Sequence, residues 1–274
     1  MNNSHRFIIQ SFLSRGTLTH DEMKDLHKFA CEKYEVTYAA KDLTQYVQTI
    51  NRNIGQFSME IRRGIEEDIG SQMYALVRTS ESEMGKLSCL YQQNEIDLFK
   101  KTIALIVQSE SGMASSTDIL NLADHLDKNV KKMSKVEAQN LLKRLIKDKW
   151  LTENQGEVTL SARSILELEP ILRETYPDDL TFCNLCKSIV IKGQCCTHCD
   201  LKLHLHCASR LFYGRDAPMC PGCKGRWEHE IIDMHIEEMN GNEEPRAGTS
   251  SSQTQRTSIN SKARSGRPSK KRKN

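Results

Sequence analysis

A chain of 274 residues has room for about two domains, and its 38% hydrophobic content is low for one large globule. The longest uninterrupted apolar stretch lies near residues 103–107 and is far too short to cross a bilayer, so no membrane partner is expected. The net charge of +3 conceals an asymmetry: residues 241–274 carry nine Lys or Arg against two Glu, a balance of +7, which leaves −4 on residues 1–240.

Apolar spacing predicts three helices at the start of the chain. Phe7, Ile8, Phe12 and Leu13 share one face of the first. Met23, Leu26, Phe29 and Ala30 mark the second, and Leu43, Val47, Ile50, Ile54 and Phe57 the third. The period then falls toward two over residues 60–65. It passes the turn signal Asp68-Ile69-Gly70 and resumes in extended form over residues 73–77. Three helices followed by a hairpin is the order of a winged helix, assigned to residues 1–90.

The same order recurs over residues 91–176. Residues 95–110 read as a helix with Ile96, Phe99, Ile103, Leu105 and Ile106. Ser115-Ser116-Thr117 can cap a second helix through Leu126, and Ser134-Lys135-Val136-Glu137 fits a capping box for a third. That third helix turns Leu141, Leu142, Leu145 and Ile146 inward. A hairpin follows, with Trp150-Leu151-Thr152 and Val158-Thr159-Leu160 flanking the turn at Gly156. Residues 163–173 form a closing helix that Pro170 kinks or ends. Residues 176–179 link to a cysteine-rich block over 181–230. Beyond residue 240 the chain is rich in Ser, Thr, Gln and Gly. It cannot bury enough surface to offset ordering entropy, so residues 240–274 are expected to be a disordered basic tail. Arg264, Arg267, Lys270, Lys271, Arg272 and Lys273 surround Pro268 there and read as a nuclear-localisation cluster.

Eight of the ten cysteines fall in residues 183–223. Cys183 and Cys186 form a C-x2-C pair, as do Cys196 and Cys199, and Cys220 and Cys223. His204 and Cys207 form an H-x2-C pair. A two-residue spacer lets a tight turn aim both side chains at one metal, and eight such ligands complete two tetrahedral zinc sites. Closed sites leave no position for a reactive water, so this zinc is structural and holds a fold. The alternative, a disulfide framework, needs an oxidising compartment. The N-terminus shows neither the apolar region nor the small-residue cleavage site of a signal peptide, so thiols are expected to stay reduced in the nucleus or cytosol.

The gaps between the pairs are nine, four and twelve residues. A short middle gap suits a cross-brace in which Cys183, Cys186, His204 and Cys207 hold one ion and Cys196, Cys199, Cys220 and Cys223 the other. Sequential pairing is left open by sequence alone. Cys195, His198, His206 and His229 do not keep the spacer and are read as non-ligands. Cross-braced C4HC3 modules include RING-like ubiquitin ligase domains and PHD-type histone readers. Leu185 between the first two ligands and Pro221 inside the last pair favour the RING-like type. Pro218 stands where a PHD finger usually carries an aromatic. The fold class is thus mainly α with small β-hairpins: two tandem winged helices, a cross-braced two-zinc module and a basic tail.

The cysteine block, with Trp227-Glu228-His229-Glu230, resembles the non-SMC element 1 family, the RING-type subunit of the chromosomal complex built on the fifth and sixth SMC proteins. The likeness continues upstream through Met59-Glu-Ile-Arg-Arg-Gly64, Tyr74-Ala-Leu-Val77, Glu95-Ile-Asp-Leu-Phe99, Ala114-Ser-Ser-Thr117, Ile119-Leu-Asn-Leu122 and Arg173-Glu-Thr-Tyr-Pro177. It covers roughly residues 5–232. The resemblance implies a MAGE-type partner, a kleisin-type subunit and an SMC heterodimer. It also implies E3 ubiquitin ligase activity in DNA repair and recombination, and a nuclear, chromosome-associated location. A RING ligase has no covalent active site; it orients a charged ubiquitin-conjugating enzyme. The expected contacts for that enzyme are Leu185 and Pro221, extended by Leu211 and Phe212. Lys224 stands where many active RINGs carry Arg and lacks the planar bidentate fork, so activity is expected to be weak without a partner. Two other readings compete. One is a non-catalytic zinc-stabilised scaffold. The other is a winged-helix nucleic-acid binder that uses Lys135, Lys143, Arg144 and Lys147, with Lys131 and Lys132 just before them, on DNA.

Overall fold

The computed structural model describes residues 1–39, 42–79 and 90–234. The expected basic tail and its localisation cluster lie outside the described residues.

Helix α1 (Asn3–Arg15) is capped by Asn2, whose side chain accepts from the His5 amide, and it buries Ile8 and Phe12 four residues apart. A strand β1 (Thr17–Thr19) follows; at three residues it is too short for any period to show. Helix α2 (His20–Lys33) opens on a capping box, Glu22 N–H to Thr19 Oγ1 and Thr19 N–H to Glu22 Oε2. Helix α3 (Leu43–Ile54) buries Leu43, Tyr46, Val47, Ile50 and Ile54 along one face. Strands β2 (Met59–Ile65) and β3 (Gln72–Arg78) pair antiparallel, and β3 also pairs with β1, giving the order β1-β3-β2. The central position of β3 explains why Met73, Tyr74, Ala75 and Val77 are all buried.

Three expected core residues are on the surface. Leu13, Phe29 and Phe57 are well exposed. In α2 the buried stripe runs Met23, His27, Ala30, Cys31, which leaves Phe29 to one side of it. Phe29 instead meets Phe7 at 5.6 Å, with the Lys33 ammonium 4.8 Å from the Phe7 ring centroid.

The second unit repeats the order of the first. Helix α4 (Gln93–Val107) is followed by β4 (Ala114–Ser115), a short α5 (Ser116–Asn121) that tightens into a 3-10 turn over Leu122–His125, and α6 (Lys135–Lys147). The capping box at α6 is present: Glu137 N–H donates to Ser134 Oγ and Ser134 N–H to Glu137 Oε2. Strands β5 (Leu151–Asn154) and β6 (Glu157–Leu160) flank Gln155 and Gly156, both at positive φ, the pair of conformations a two-residue type I′ turn requires. The sheet order β4-β6-β5 matches that of the first unit strand for strand. The molecule is helix-rich with small sheets, and no described helix is long and apolar enough to cross a membrane.

Helix α7 (Ala162–Thr175) decides half of one expectation: Pro170 does not end it. Pro170 lies inside it, and the helix runs on to Thr175. Losing one amide donor is tolerated because Leu168 and Leu172, on either side of the proline, are both buried in the core. Helix α7 also joins the two units. A Cβ added at Gly64 of β2 would lie 2.7 Å from Leu166 Cδ1, so glycine is needed for the close approach. Arg62 pairs with Glu169 at 3.6 Å, and the Ala162 amide donates to Glu66 at 3.3 Å.

The cysteine-rich block is docked as well. Leu180, Ile189 and Ile191 belong to the same buried apolar cluster as Phe99, Ile106, Leu141 and Trp150 of the second unit, and Tyr176 packs against it. At Gly112, φ +68°, an added Cβ would come within 2.2 Å of the Ile191 carbonyl oxygen. The loop after α4 therefore lies flat against the block.

Candidate metal centres

The block is built on three C-x2-C turns, two of which share one hydrogen-bond pattern. Strand β7 (Thr181–Phe182) pairs with β8 (Ile189–Val190), and between them Cys183 N–H donates to Ser188 O and Lys187 N–H to Cys183 O. Near the other end Cys220 N–H donates to Gly225 O and Lys224 N–H to Cys220 O. Lys187 and Lys224 each follow the second cysteine of a C-x2-C and take the same left-handed conformation, φ 63° and 62°. At the third turn the Cys196 amide donates to Leu201 O and the His198 amide to Cys196 Sγ at 3.4 Å. Strands β9 (Gln194–Cys195) and β10 (Lys202–Leu203) pair around it, and α8 (Leu205–Phe212) follows.

These turns gather the ligand atoms into two sets. Cys183, Cys186, His204 and Cys207 form one, and Cys196, Cys199, Cys220 and Cys223 the other, with the atoms of each set within 4.8 Å of one another. The arrangement is interleaved: the first and third pairs meet, and the second and fourth. Tetrahedral zinc with ordinary bond lengths separates two sulfurs by about 3.8 Å, and a sulfur from an imidazole nitrogen by about 3.6 Å. Cys196 and Cys223 sulfurs are 3.6 Å apart, and those of Cys199 and Cys220 3.8 Å. His204 Nδ1 is 3.3 Å from Cys186 Sγ and 3.8 Å from Cys207 Sγ. The spacing and the soft donor set fit two four-coordinate ions with no open position. Among the described residues every cysteine is a free thiol.

His204 stands at the start of α8 with its other nitrogen facing inward. Nε2 is 2.9 Å from the Ile189 carbonyl and 3.2 Å from Glu67 Oε1. Glu67 comes from the β2–β3 turn of the first unit. Nothing local in the sequence points to it, because 137 positions separate the two residues. The expected non-ligands fall outside both sets. His206 is buried on α8, stacked on His204 at 4.7 Å, and burial holds its ring below the usual histidine range. Cys195 is exposed, and its carbonyl accepts from His229 Nε2.

Around the sets, Leu185 stands 38% exposed between Cys183 and Cys186. Pro221 and Leu211 are half-buried. Phe212 is a correction: it is 2% exposed and packs 5.1 Å from the Trp227 ring inside the block, so it cannot present a surface to an enzyme. Lys224 is exposed, with Nζ donating to the Pro221 carbonyl at 3.2 Å. Met219 and Tyr213, which sequence did not single out, are exposed at 57% and 67%. On the basic helix α6, Arg144 pairs with Glu95 at 2.7 Å and lies 4.5 Å from the Tyr91 ring centroid. Lys135 reaches Asp124 and Asn121. Two of the charges offered for DNA are thus engaged within the chain.

A protein-family model for the Nse1 non-SMC component of the SMC5-6 complex matches residues 5–168, and a RING-like domain model matches residues 183–223. Proteins named non-structural maintenance of chromosomes element 1 homolog are similar along most of the chain. The Xenopus laevis protein is 40% identical over 235 residues, covering 86% of each chain. The Homo sapiens protein is 39% identical over 231 residues, covering 84% of this chain and 86% of its own. A solved structure of an Nse1-Nse3-Nse4 complex contains a similar chain, with a TM-score of 0.77 at 39% identity, covering 84% of this chain and 99% of that one. With the family model spanning more than half of the chain and relatives of this similarity along most of it, the protein belongs to the family of Nse1 non-SMC components of the SMC5-6 complex.

Proposed function

We propose that the chain is the RING-type E3 ubiquitin ligase subunit of an SMC5-6 complex acting in DNA repair and recombination in the nucleus. The observation that carries this reading is the pair of interleaved Cys/His sets with Leu185 exposed between the first two ligands. In it the eight residues hold two structural zinc ions, whose chemistry is to crosslink the fold. Leu185 and Pro221, and more weakly Leu211, engage a ubiquitin-conjugating enzyme. The module performs no covalent step; it orients the charged enzyme so that its thioester is open to attack. Residues 1–90 and 91–176 are read as tandem winged helices and residues 181–230 as the RING-like module. The repeated helix-strand-helix-helix-strand-strand order and matching sheet orders support that reading. The partners are those in the related complex, a MAGE-type Nse3 and a kleisin-type Nse4, together with the SMC heterodimer.

A second reading has one observation in its favour. Lys224 replaces the bridging Arg, and its ammonium is turned onto the Pro221 carbonyl. This supports a zinc-stabilised scaffold that docks partners without engaging a conjugating enzyme. Ubiquitin discharge from a charged conjugating enzyme, with and without the MAGE-type partner, separates the two. The ligase reading expects partner-stimulated discharge; no discharge in either arm leaves the scaffold.

A further inference from the structure

The acidic turn Glu66-Glu67-Asp68 at the tip of the β2–β3 hairpin is spent entirely on the rest of the molecule. Glu66 accepts from the Ala162 amide at the start of α7. Asp68 pairs with Lys192. Glu67 is 5% exposed, and the group at the centre of its contacts is a candidate metal ligand. Its Oε1 accepts from the Ile191 amide at 3.0 Å and lies 3.2 Å from His204 Nε2; its Oε2 accepts from the Lys192 amide at 2.8 Å. The carbonyl that shares the His204 N–H belongs to Ile189, two residues before the first of those amides.

A histidine that binds metal through one nitrogen needs its other N–H held, usually by a carboxylate or a carbonyl. That hold fixes the tautomer, aims the ring and raises its basicity. Here Nδ1 faces the cysteine sulfurs, and Nε2–H faces the Ile189 carbonyl and Glu67 together. Glu67 also holds the Ile191 and Lys192 amides, just past the end of the short strand β8 that carries that carbonyl. A buried carboxylate is costly without partners, and the Ile191 and Lys192 amides and the His204 ring that meet this one lie in the module, more than 120 positions away in sequence.

We propose that Glu67 is a positioning residue for the first metal site, and that it couples metal occupancy of the module to docking of the first unit's hairpin. The proposal rests on the two-zinc reading. Coupling of this kind is reciprocal: a hairpin that strengthens metal binding is itself held more firmly when the metal is bound. The module is then one body with the first unit only while the first site is filled.

The test uses the full-length chain loaded with zinc. Zinc release to an excess of a chromophoric chelator is followed for the wild type, Glu67→Ala, Glu67→Gln and Asp68→Ala. Hydrogen exchange at residues 183–188 and 220–225 tells which site loosens. Loss of a metal-histidine partner costs ~10–100-fold in affinity. Glu67→Ala should release one of the two ions faster by about that factor and loosen residues 183–188, with the second ion unchanged. Glu67→Gln keeps one acceptor and should fall between, which also covers the case that the alanine variant does not fold. Asp68→Ala removes a half-exposed docking pair without touching His204 and should speed release of the first ion far less than Glu67→Ala does, with the second ion unchanged. In the reverse direction, stripping zinc from the wild type should remove protection at residues 66–71. Equal release in wild type and both Glu67 variants overturns the proposal, as does equal acceleration of both ions, which marks general loosening. A hairpin equally protected with and without metal overturns the coupling. A folded, reduced wild type containing no zinc overturns the two-zinc reading and this proposal together.

Discussion

The amino-terminal units and the cysteine-rich module are held together by different physics. In the second unit, Phe99, Ile106, Leu141, Leu145, Trp150 and Val158 are all nearly inaccessible and interlock across α4, α6, β6 and the turn before β5. The module's own cluster has nine buried residues, and four of them are the cysteines Cys183, Cys196, Cys207 and Cys220, whose sulfurs face the two ligand sets. Without them little is left beyond Val190, Leu203, Ala208, Phe212 and Trp227. Burial of that size does not offset the conformational entropy of about fifty residues. One region thus folds because it excludes water; on the two-zinc reading the other folds because it is crosslinked. The seam with the second unit is apolar: Leu180, Ile189 and Ile191 insert into that unit's core. A loss on the module side therefore uncovers part of the other.

Metal removal should separate the regions most sharply. Structural zinc is worth ~10–16 kcal/mol in small peptides. Chelation of the full chain should abolish hydrogen-exchange protection over residues 181–230 while helices α4 and α6 stay protected. Metal analysis of the loaded protein should return two zinc ions per chain. Collapse of protection in α4 and α6 at the same chelator concentration would erase the distinction between the regions.

A core truncation should produce the opposite pattern. Phe99 is 2% exposed and meets Trp150 edge-on at 6.0 Å between centroids. Phe99→Ala should lower stability by ~3–5 kcal/mol in denaturant unfolding. The zinc count should stay at two. Zinc loss in this variant under native conditions would mean that the apolar seam supports the metal sites more than their ligands do.

A smaller effect tests local folding of the second unit. Ser134→Ala removes the cap of α6, where Ser134 Oγ accepts from the Glu137 amide. A cost of ~0.5–2 kcal/mol is expected, read from the unfolding midpoint, again with unchanged zinc. No shift in midpoint would mean that the start of α6 is held by packing alone.

The smallest effect on stability belongs to Leu185→Ala. Its side chain is 38% exposed and outside both ligand sets. Stability should change by ~0.5 kcal/mol or less, while partner-stimulated ubiquitin transfer falls. Unchanged transfer would remove Leu185 from the enzyme contact and favour the scaffold reading.

Much of this was legible in the residues themselves, for reasons of range. The helices α1 to α4 and α6, the hairpins β2–β3 and β5–β6 and the capping box at Ser134 are set within a few residues, so periodicity and capping chemistry reveal them. The pairing of ligands into interleaved sets was half legible: a C-x2-C turn is local, but which turns meet is a matter of topology. What the sequence could not determine is everything that depends on distant partners. The strands β1 and β4 exist only because β3 and β6 offer them an edge. Phe212 looked like surface and is core because Trp227 covers it, and Phe29 looked like core and is surface because α2 turns another face inward. Pro170 stays in a helix because Leu168 and Leu172 anchor both sides of it. Glu67 stands beside a local turn signal that says nothing of its partners, and it is buried against a histidine far along the chain. Local sequence determined the pieces and the ligand types; tertiary packing alone decided which faces are buried and which residues stand behind the candidate ligand sets.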